Sequence, residues 1–266
     1  MTKEENPHQR IRGIYLLPNL FTTAGIFAGF FAIVAGMHNH YDTASIALFI
    51  AMIMDFLDGR VARLTNTQSD FGKEYDSLSD MVSFGLTPAL LVYKWALEGL
   101  GTLGWLVAFL FVAAVALRLA RFNTQVTKVD KKYFQGLSCT ASAGVVASMV
   151  WFGGFLPKEG VFYQSVVAAV IFILAMLMVS NIRYHSFKDF DPRGRITFVM
   201  LIAVVLLFAG IALDPPTVLF IIFGLYALSG PVFTLWNLRQ RKIRRHAHSR
   251  KEDEIADVSA KDRHNT

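Results

Sequence analysis

The chain has 266 residues, of which 54% are hydrophobic and 17% charged, with 26 Lys and Arg against 20 Asp and Glu. Soluble domains carry about 25% charged residues, so this composition, with a mean hydropathy of +0.43, excludes an ordinary soluble domain and indicates an integral membrane protein. The single cysteine, Cys139, excludes an intrachain disulfide and a multi-cysteine metal site, and is expected to pack as a small apolar residue.

From the N-terminus, MTKEENPHQRIRG is too polar for a signal peptide and has no cleavage pattern after a short apolar core, so the first apolar run is expected to be a retained span. Stretches long enough to cross a bilayer, about 20 residues each, follow at 16–37, 43–65, 75–97, 102–122, 136–156, 161–181, 196–213 and 216–236. The expected fold is an all-α polytopic bundle of about eight transmembrane helices, with one membrane domain over 1–236. The distribution of positive charge tests this count. With both termini cytoplasmic, the inner segments hold 24 of the 26 basic residues, and only Lys94 and Lys158 fall outside. Topology therefore accounts for the net charge of +6, and nucleic acid is not an expected partner. The basic run RQRKIRRHAHSRK at 239–251 is expected to anchor the last helix to anionic lipid heads, within a cytoplasmic tail (237–266) that ends in a polar, disordered segment.

The second and third spans are the least hydropathic because they carry Asp55, Asp58, Asp76 and Asp80. Each such residue costs roughly 2.5–3.5 kcal/mol at a membrane helix centre, so an intramembrane carboxylate is a functional hypothesis by default. Asp55 and Asp58 are three apart and Asp76 and Asp80 four apart, so each pair shares a helix face. The two spans run antiparallel around a short polar connection, Asn66 to Phe71, which brings both pairs to the cytoplasmic end. No nearby run of lysines compensates them. Oxygen ligands suit Mg²⁺ or Mn²⁺, and four carboxylates suffice for two ions, the arrangement that neutralises charge in phosphoryl displacement. Gly59 and Gly72, each costing about 1 kcal/mol relative to Ala inside a helix, would let a ligand approach the backbone. Ala62 clears the same region, and Arg63 offers a planar fork to a phosphate oxygen. Taken singly, these residues also fit snorkelling, a buried ion pair or helix packing; taken together, their spacing points to a metal and polyphosphate site at the membrane surface. A cation transporter using the aspartates as an ion path is the competing class.

The full pattern, D-x2-D-G-x2-A-R-x8-G-x3-D-x3-D, is filled by Asp55, Asp58, Gly59, Ala62, Arg63, Gly72, Asp76 and Asp80. It resembles the signature of the CDP-alcohol phosphotransferase family at every fixed position. That resemblance implies divalent-metal enzymes that displace CMP from a CDP-linked lipid or alcohol. Asp55, Asp58 and Asp76 would be metal ligands, and Asp80 a ligand or the general base on the acceptor hydroxyl, a role suited to a carboxylate held beside metal and acceptor.

Flanking segments are similar to the membrane-integral phosphatidylserine synthase branch: PNLFT at 18–22, SFGLTPA at 83–89, ALRLARFN at 116–123, YFQGL at 133–137 and SNIRYHSFKDFD at 180–191. This branch implies CDP-diacylglycerol and L-serine as substrates, an inner-membrane location and a homodimer. Glycerol phosphate, inositol phosphate and choline are the acceptors of sister enzymes. Asn19 and Thr22 either face the nucleotide or cap the first helix. Arg118 and Arg121 either hold a phosphate or an amino-acid carboxylate, or stop the fourth span by charge alone; Arg183 and Lys188 face the same choice. After YFQGL the family usually continues with prolines, where this chain has Ser138, Cys139 and Thr140, so the bend of the fifth span is where departure is expected.

Overall fold

The computed structural model describes residues 16–125, 133–154, 160–185 and 198–234. Helix α1 (Leu16–Met37) turns through His38–His40, with Asn39 at φ 62°, into α2 (Tyr41–Leu64), against which it packs more extensively than any other pair of elements. After Asn66, also left-handed at φ 50°, Ser69 caps α3 (Asp70–Asp80) by accepting a hydrogen bond from the Gly72 amide at 3.0 Å.

The expected third span starts earlier than its hydropathy suggests and is not a uniform α-helix. It continues from α3 through a π-helical segment (Met81–Leu86), α4 (Thr87–Val92), a second π segment (Tyr93–Leu97) and a 3₁₀ turn (Glu98–Leu100). Pro88 explains the first irregularity. It has no amide hydrogen, and its ring would press on the carbonyl four residues back in a regular helix. The helix widens instead, and the Thr87 amide donates to the Val82 carbonyl five residues back, which also lies 2.9 Å from the Thr87 hydroxyl.

This third run lies on α1 through a ladder of hydroxyls. Ser79 donates to the Thr22 carbonyl at 3.4 Å, Ser83 to Gly25 at 3.2 Å and Thr87 to Gly29 at 3.2 Å. Gly25 and Gly29, four apart, permit the approach: a Cβ on Gly29 would stand 2.9 Å from Ser83 Oγ and 3.1 Å from its Cα. Gly29→Val is therefore expected to destabilise the purified protein by about 1–3 kcal/mol through overpacking, read as a lower midpoint of thermal unfolding in detergent. Gly224→Ala, which would meet nothing within 4 Å, is the control.

Helix α5 (Thr102–Gln125) packs on α7 (Val161–Val179). Helix α6 (Cys139–Gly153) is the most enclosed element, with nearly all its small side chains buried against its neighbours. Its start corrects the expected fifth span by three residues. Gly136 stands at φ 79°, where a Cβ would run into the Met178 and Ser180 carbonyls, and the helix begins only after Ser138, whose hydroxyl accepts from the Ala141 amide at 3.0 Å. Ser138 starts the helix with a side-chain cap.

The all-α expectation also misses a small sheet. β1 (Tyr133–Gln135) pairs antiparallel with β2 (Arg183–His185) in the register Tyr133↔His185, Phe134↔Tyr184 and Gln135↔Arg183. The ribbon joins the connection after α5 to the connection after α7. Its anchor is Tyr184, buried, whose hydroxyl donates to the Ala227 carbonyl at 3.0 Å. That carbonyl belongs to α9 (residues 215–234), which follows α8 (Phe198–Leu213) after Asp214. α9 also reaches the core by stacking Phe220 on Phe152 at 5.4 Å.

Among the described residues, four helices are long and apolar enough to cross a membrane by length and composition: Leu17–Met37, Thr102–Thr124, Val161–Val179 and Pro215–Thr234. α2, at 24 residues, has the length but carries Asp55, Asp58 and the arginines after them.

Candidate metal centre and active site

The aspartates meet where α2 and α3 approach at the end carrying their connection. Asp55, Asp76 and Asp80 each place a carboxylate oxygen within 4.8 Å of the others, and all three are partly buried. Asp55 and Asp80 are in hydrogen-bond contact, although both are acids. Asp76 Oδ1 is buried and has no hydrogen-bond partner. Two touching carboxyls and an orphaned buried oxygen form an unstable arrangement unless a cation or a shared proton sits among them. An all-oxygen donor set of this kind fits a hard divalent cation.

Asp58, on the same face as Asp55, stands beside this trio, close enough for its charge to act on Asp76. It is the least solvent-exposed of the four and accepts a 2.8 Å hydrogen bond from Thr22 Oγ1 on α1. Of the four expected ligands, three therefore converge directly and the fourth is oriented from α1.

The expected substrate-side residues divide into two groups. Arg63 folds back so that Nε donates to the Gly59 carbonyl at 2.8 Å; a Cβ on Gly59 would meet nothing nearer than Arg63 Nη2 at 3.8 Å. Gly59 is thus not demanded by packing, and Ala62 is partly buried. A Cβ on Gly72 would lie 3.6 Å from Asn19 Oδ1, which places Asn19 beside the start of α3.

Arg118 and Arg121 are held by backbone. Arg118 Nε donates to the Leu137 carbonyl, and Arg121 donates to the Val179 carbonyl at 3.4 Å and to Asn181 Oδ1. Both tie α5 to the segments at one end of the β1–β2 ribbon, where Leu137 follows β1 and Asn181 precedes β2, a use neither expected role included. Arg118 still lies near the acids: its charge and that of Asp80 both reach the Cys139 thiol. Arg183 sits in β2 opposite Gln135, and Lys188 lies outside the described residues.

Several neighbours of the site escaped the sequence reading. Cys139 is buried, as expected, but its sulfur lies 3.9 Å from Asp80 Oδ2 and so forms part of the wall behind that carboxylate. Asn123 Nδ2 donates to Ser77 Oγ at 3.0 Å, tying α5 to the residue after Asp76. Tyr75 meets Thr23 through their hydroxyls at 2.9 Å and stacks on Phe71 at 5.8 Å. The only advance signal was position: Tyr75 and Ser77 adjoin Asp76, Asn123 closes ALRLARFN, and Thr23 and Cys139 lie one and two residues past PNLFT and YFQGL.

Comparison with known proteins matches residues 15–181 to the family model described as CDP-alcohol phosphatidyltransferase. The match covers α1 to α7 and the whole carboxylate cluster. A CDP-diacylglycerol–serine O-phosphatidyltransferase of Helicobacter pylori (strain ATCC 700392 / 26695) is 37% identical over 223 residues, covering 83% of this chain and 91% of that protein. An archaetidylserine synthase of Methanothermobacter thermautotrophicus is 35% identical over 179 residues, 66% of this chain and 72% of that protein. A Saccharomyces cerevisiae CDP-diacylglycerol–serine O-phosphatidyltransferase is 34% identical over 164 residues, 56% of this chain and 58% of that protein. With the signature complete, its acids gathered into one site and the family model spanning the helical core, the chain is an enzyme of the CDP-alcohol phosphatidyltransferase family.

Proposed function

We propose that this enzyme transfers the phosphatidyl group of CDP-diacylglycerol to the hydroxyl of L-serine, giving phosphatidylserine and CMP. The observation that carries the chemistry is the convergence of Asp55, Asp76 and Asp80 beside Asp58. The serine acceptor is supported by the similarity over most of the chain to proteins named for serine transfer.

Asp55, Asp58 and Asp76 would hold divalent ions, Mg²⁺ or Mn²⁺ and by charge two of them, with Asp80 either a further ligand or the general base. Such ions supply neutralisation of the pyrophosphate and stabilisation of the departing CMP. The chain's own residues do the rest. The region of Gly59 and Ala62, together with Asn19, Gly72 and Arg63, receives the CDP moiety, with the Arg63 fork on phosphate oxygens. The acyl chains stay in the bilayer. Asp80 takes the proton from the serine hydroxyl as its oxygen attacks the lipid-side phosphorus and the bond to CMP breaks. No covalent enzyme intermediate is needed. Arg118 or Arg121, with Arg183 and Lys188, recognises the serine carboxylate. The test is CMP release by purified protein: it should require both serine and divalent metal and stop with chelator. Release that persists in chelator would remove the metal from the reading.

The same proposal sets eight spans, with 1–236 as the membrane domain, 237–266 as a tail and both termini in the cytoplasm of an inner membrane. A homodimer follows from family resemblance. The excess of basic residues on one side supports the orientation. The α2–α3 connection gives a direct test. Thr67 is buried and Asn66 is left-handed, but Gln68 is exposed, and the native Cys139 is buried. Gln68→Cys is expected to react with an impermeant thiol reagent in inside-out vesicles and not in intact cells. Labelling of intact cells would reverse the orientation.

A further inference from the structure

We propose that Thr22 is a positioning residue for the carboxylate cluster, orienting Asp58 through its hydroxyl and thereby setting the affinity of the site for divalent cation; this rests on the metal reading above. The sequence offered Thr22 as a helix cap or a nucleotide contact. The structure places it differently.

Thr22 is 4% exposed, in the second turn of α1, where its hydroxyl has two acceptors within reach: the Pro18 carbonyl at 3.1 Å and Asp58 Oδ2 at 2.8 Å. A hydroxyl carries one hydrogen. Pro18 stands four residues before Thr22, so its carbonyl is also the regular acceptor for the helix ladder. An ionised carboxylate is the stronger acceptor and the more costly group to leave unpaired when buried. The hydrogen therefore goes to Asp58. A buried acid on α2 is held in one rotamer by a helix that contributes no carboxylate of its own.

The main chain of the same residue faces the other arm of the site. The Thr22 carbonyl accepts from Ser79 Oγ at 3.4 Å, and Ser79 immediately precedes Asp80. Thr22 thus contacts α2 through its side chain and α3 through its backbone. The Gly25–Ser83 and Gly29–Thr87 contacts below it fix the axial position of α1 against the third run. Sliding α1 would move the Thr22 hydroxyl and with it the rotamer that the Asp58 carboxylate holds beside the other three acids. Groups that orient metal-binding side chains in this way are typically worth 10–100-fold in metal affinity.

The test uses the full chain purified in detergent, with Mn²⁺ alone as the probe, free Mn²⁺ being followed by electron paramagnetic resonance. T22V keeps the side-chain shape and removes the hydroxyl; T22S keeps the hydroxyl. T22V is expected to weaken Mn²⁺ binding by about tenfold or more, and T22S to bind as the parent protein does. At saturating Mn²⁺, the KM of T22V for CDP-diacylglycerol should not rise. In a D58N background, T22V should cause no further loss, because Thr22 acts through Asp58. If T22V does not fold, judged by its thermal transition, T22A supplies the same comparison. Parent-like Mn²⁺ binding in a folded T22V or T22A overturns the proposal, and a raised KM for the lipid nucleotide would then return Thr22 to a substrate contact. If the parent protein binds no Mn²⁺, the metal reading itself fails and this inference falls with it.

Discussion

Asp76→Asn is expected to lower kcat by at least about 100-fold, the scale of losing a major electrostatic element. The change keeps size and hydrogen-bonding shape but removes one negative charge. Asp76 is the most informative of the four acids to change because its Oδ1 is buried without a protein partner. A structural aspartate would have acquired a donor from the polar groups around it, such as Ser77 or Asn123, which instead bond to each other. The expected loss should be accompanied by weaker Mn²⁺ binding. Asp55→Asn and Asp58→Asn should behave similarly. Near-normal turnover in Asp76→Asn, with activity insensitive to chelator, would mean that the acids are not a metal site.

Asp80→Asn carries the second large effect, and its kinetic signature differs. A general base contributes about 10²–10⁴-fold, and it acts on the transition state. The substitution should therefore lower kcat and kcat/KM together while leaving the KM for serine little changed. Asp80 sits between Asp55 and the Cys139 sulfur, so it is held from both sides. Metal binding separates its two possible roles: a ligand loses Mn²⁺ affinity with the charge, whereas a base keeps it. A large rise in the KM for serine with kcat preserved would assign Asp80 to substrate binding instead.

Much of the site could be read from the chain because intramembrane carboxylates are costly and so have few reasons to exist. Their three- and four-residue spacings fix which share a face, and the short α2–α3 connection fixes which end they share. The mostly helical, membrane-type character was legible for the same reason, since apolar length is a property of the sequence itself. What hydropathy could not show is backbone detail. The π segments around Pro88 keep the helical hydropathy of a regular span, so only coordinates reveal them. The β1–β2 ribbon depends on two connections far apart in sequence meeting in space, and Gly136 was one glycine among 19 until its positive φ was seen. The arginines of ALRLARFN carried too many plausible uses. Their bonds to the Leu137 and Val179 carbonyls and to Asn181 Oδ1 arise from where those groups meet in space, which spacing does not encode. Thr22 was singled out, but its partner 36 residues away was not.

The most direct test of the account is an acceptor comparison with the purified protein. CDP-diacylglycerol and Mn²⁺ are supplied with L-serine, glycerol 3-phosphate, inositol phosphate, inositol or choline in parallel, and CMP release is measured. The account predicts release with serine, abolished by chelator and by Asp76→Asn, and only background with the other acceptors. CMP release that is driven by another acceptor and not by serine would contradict it.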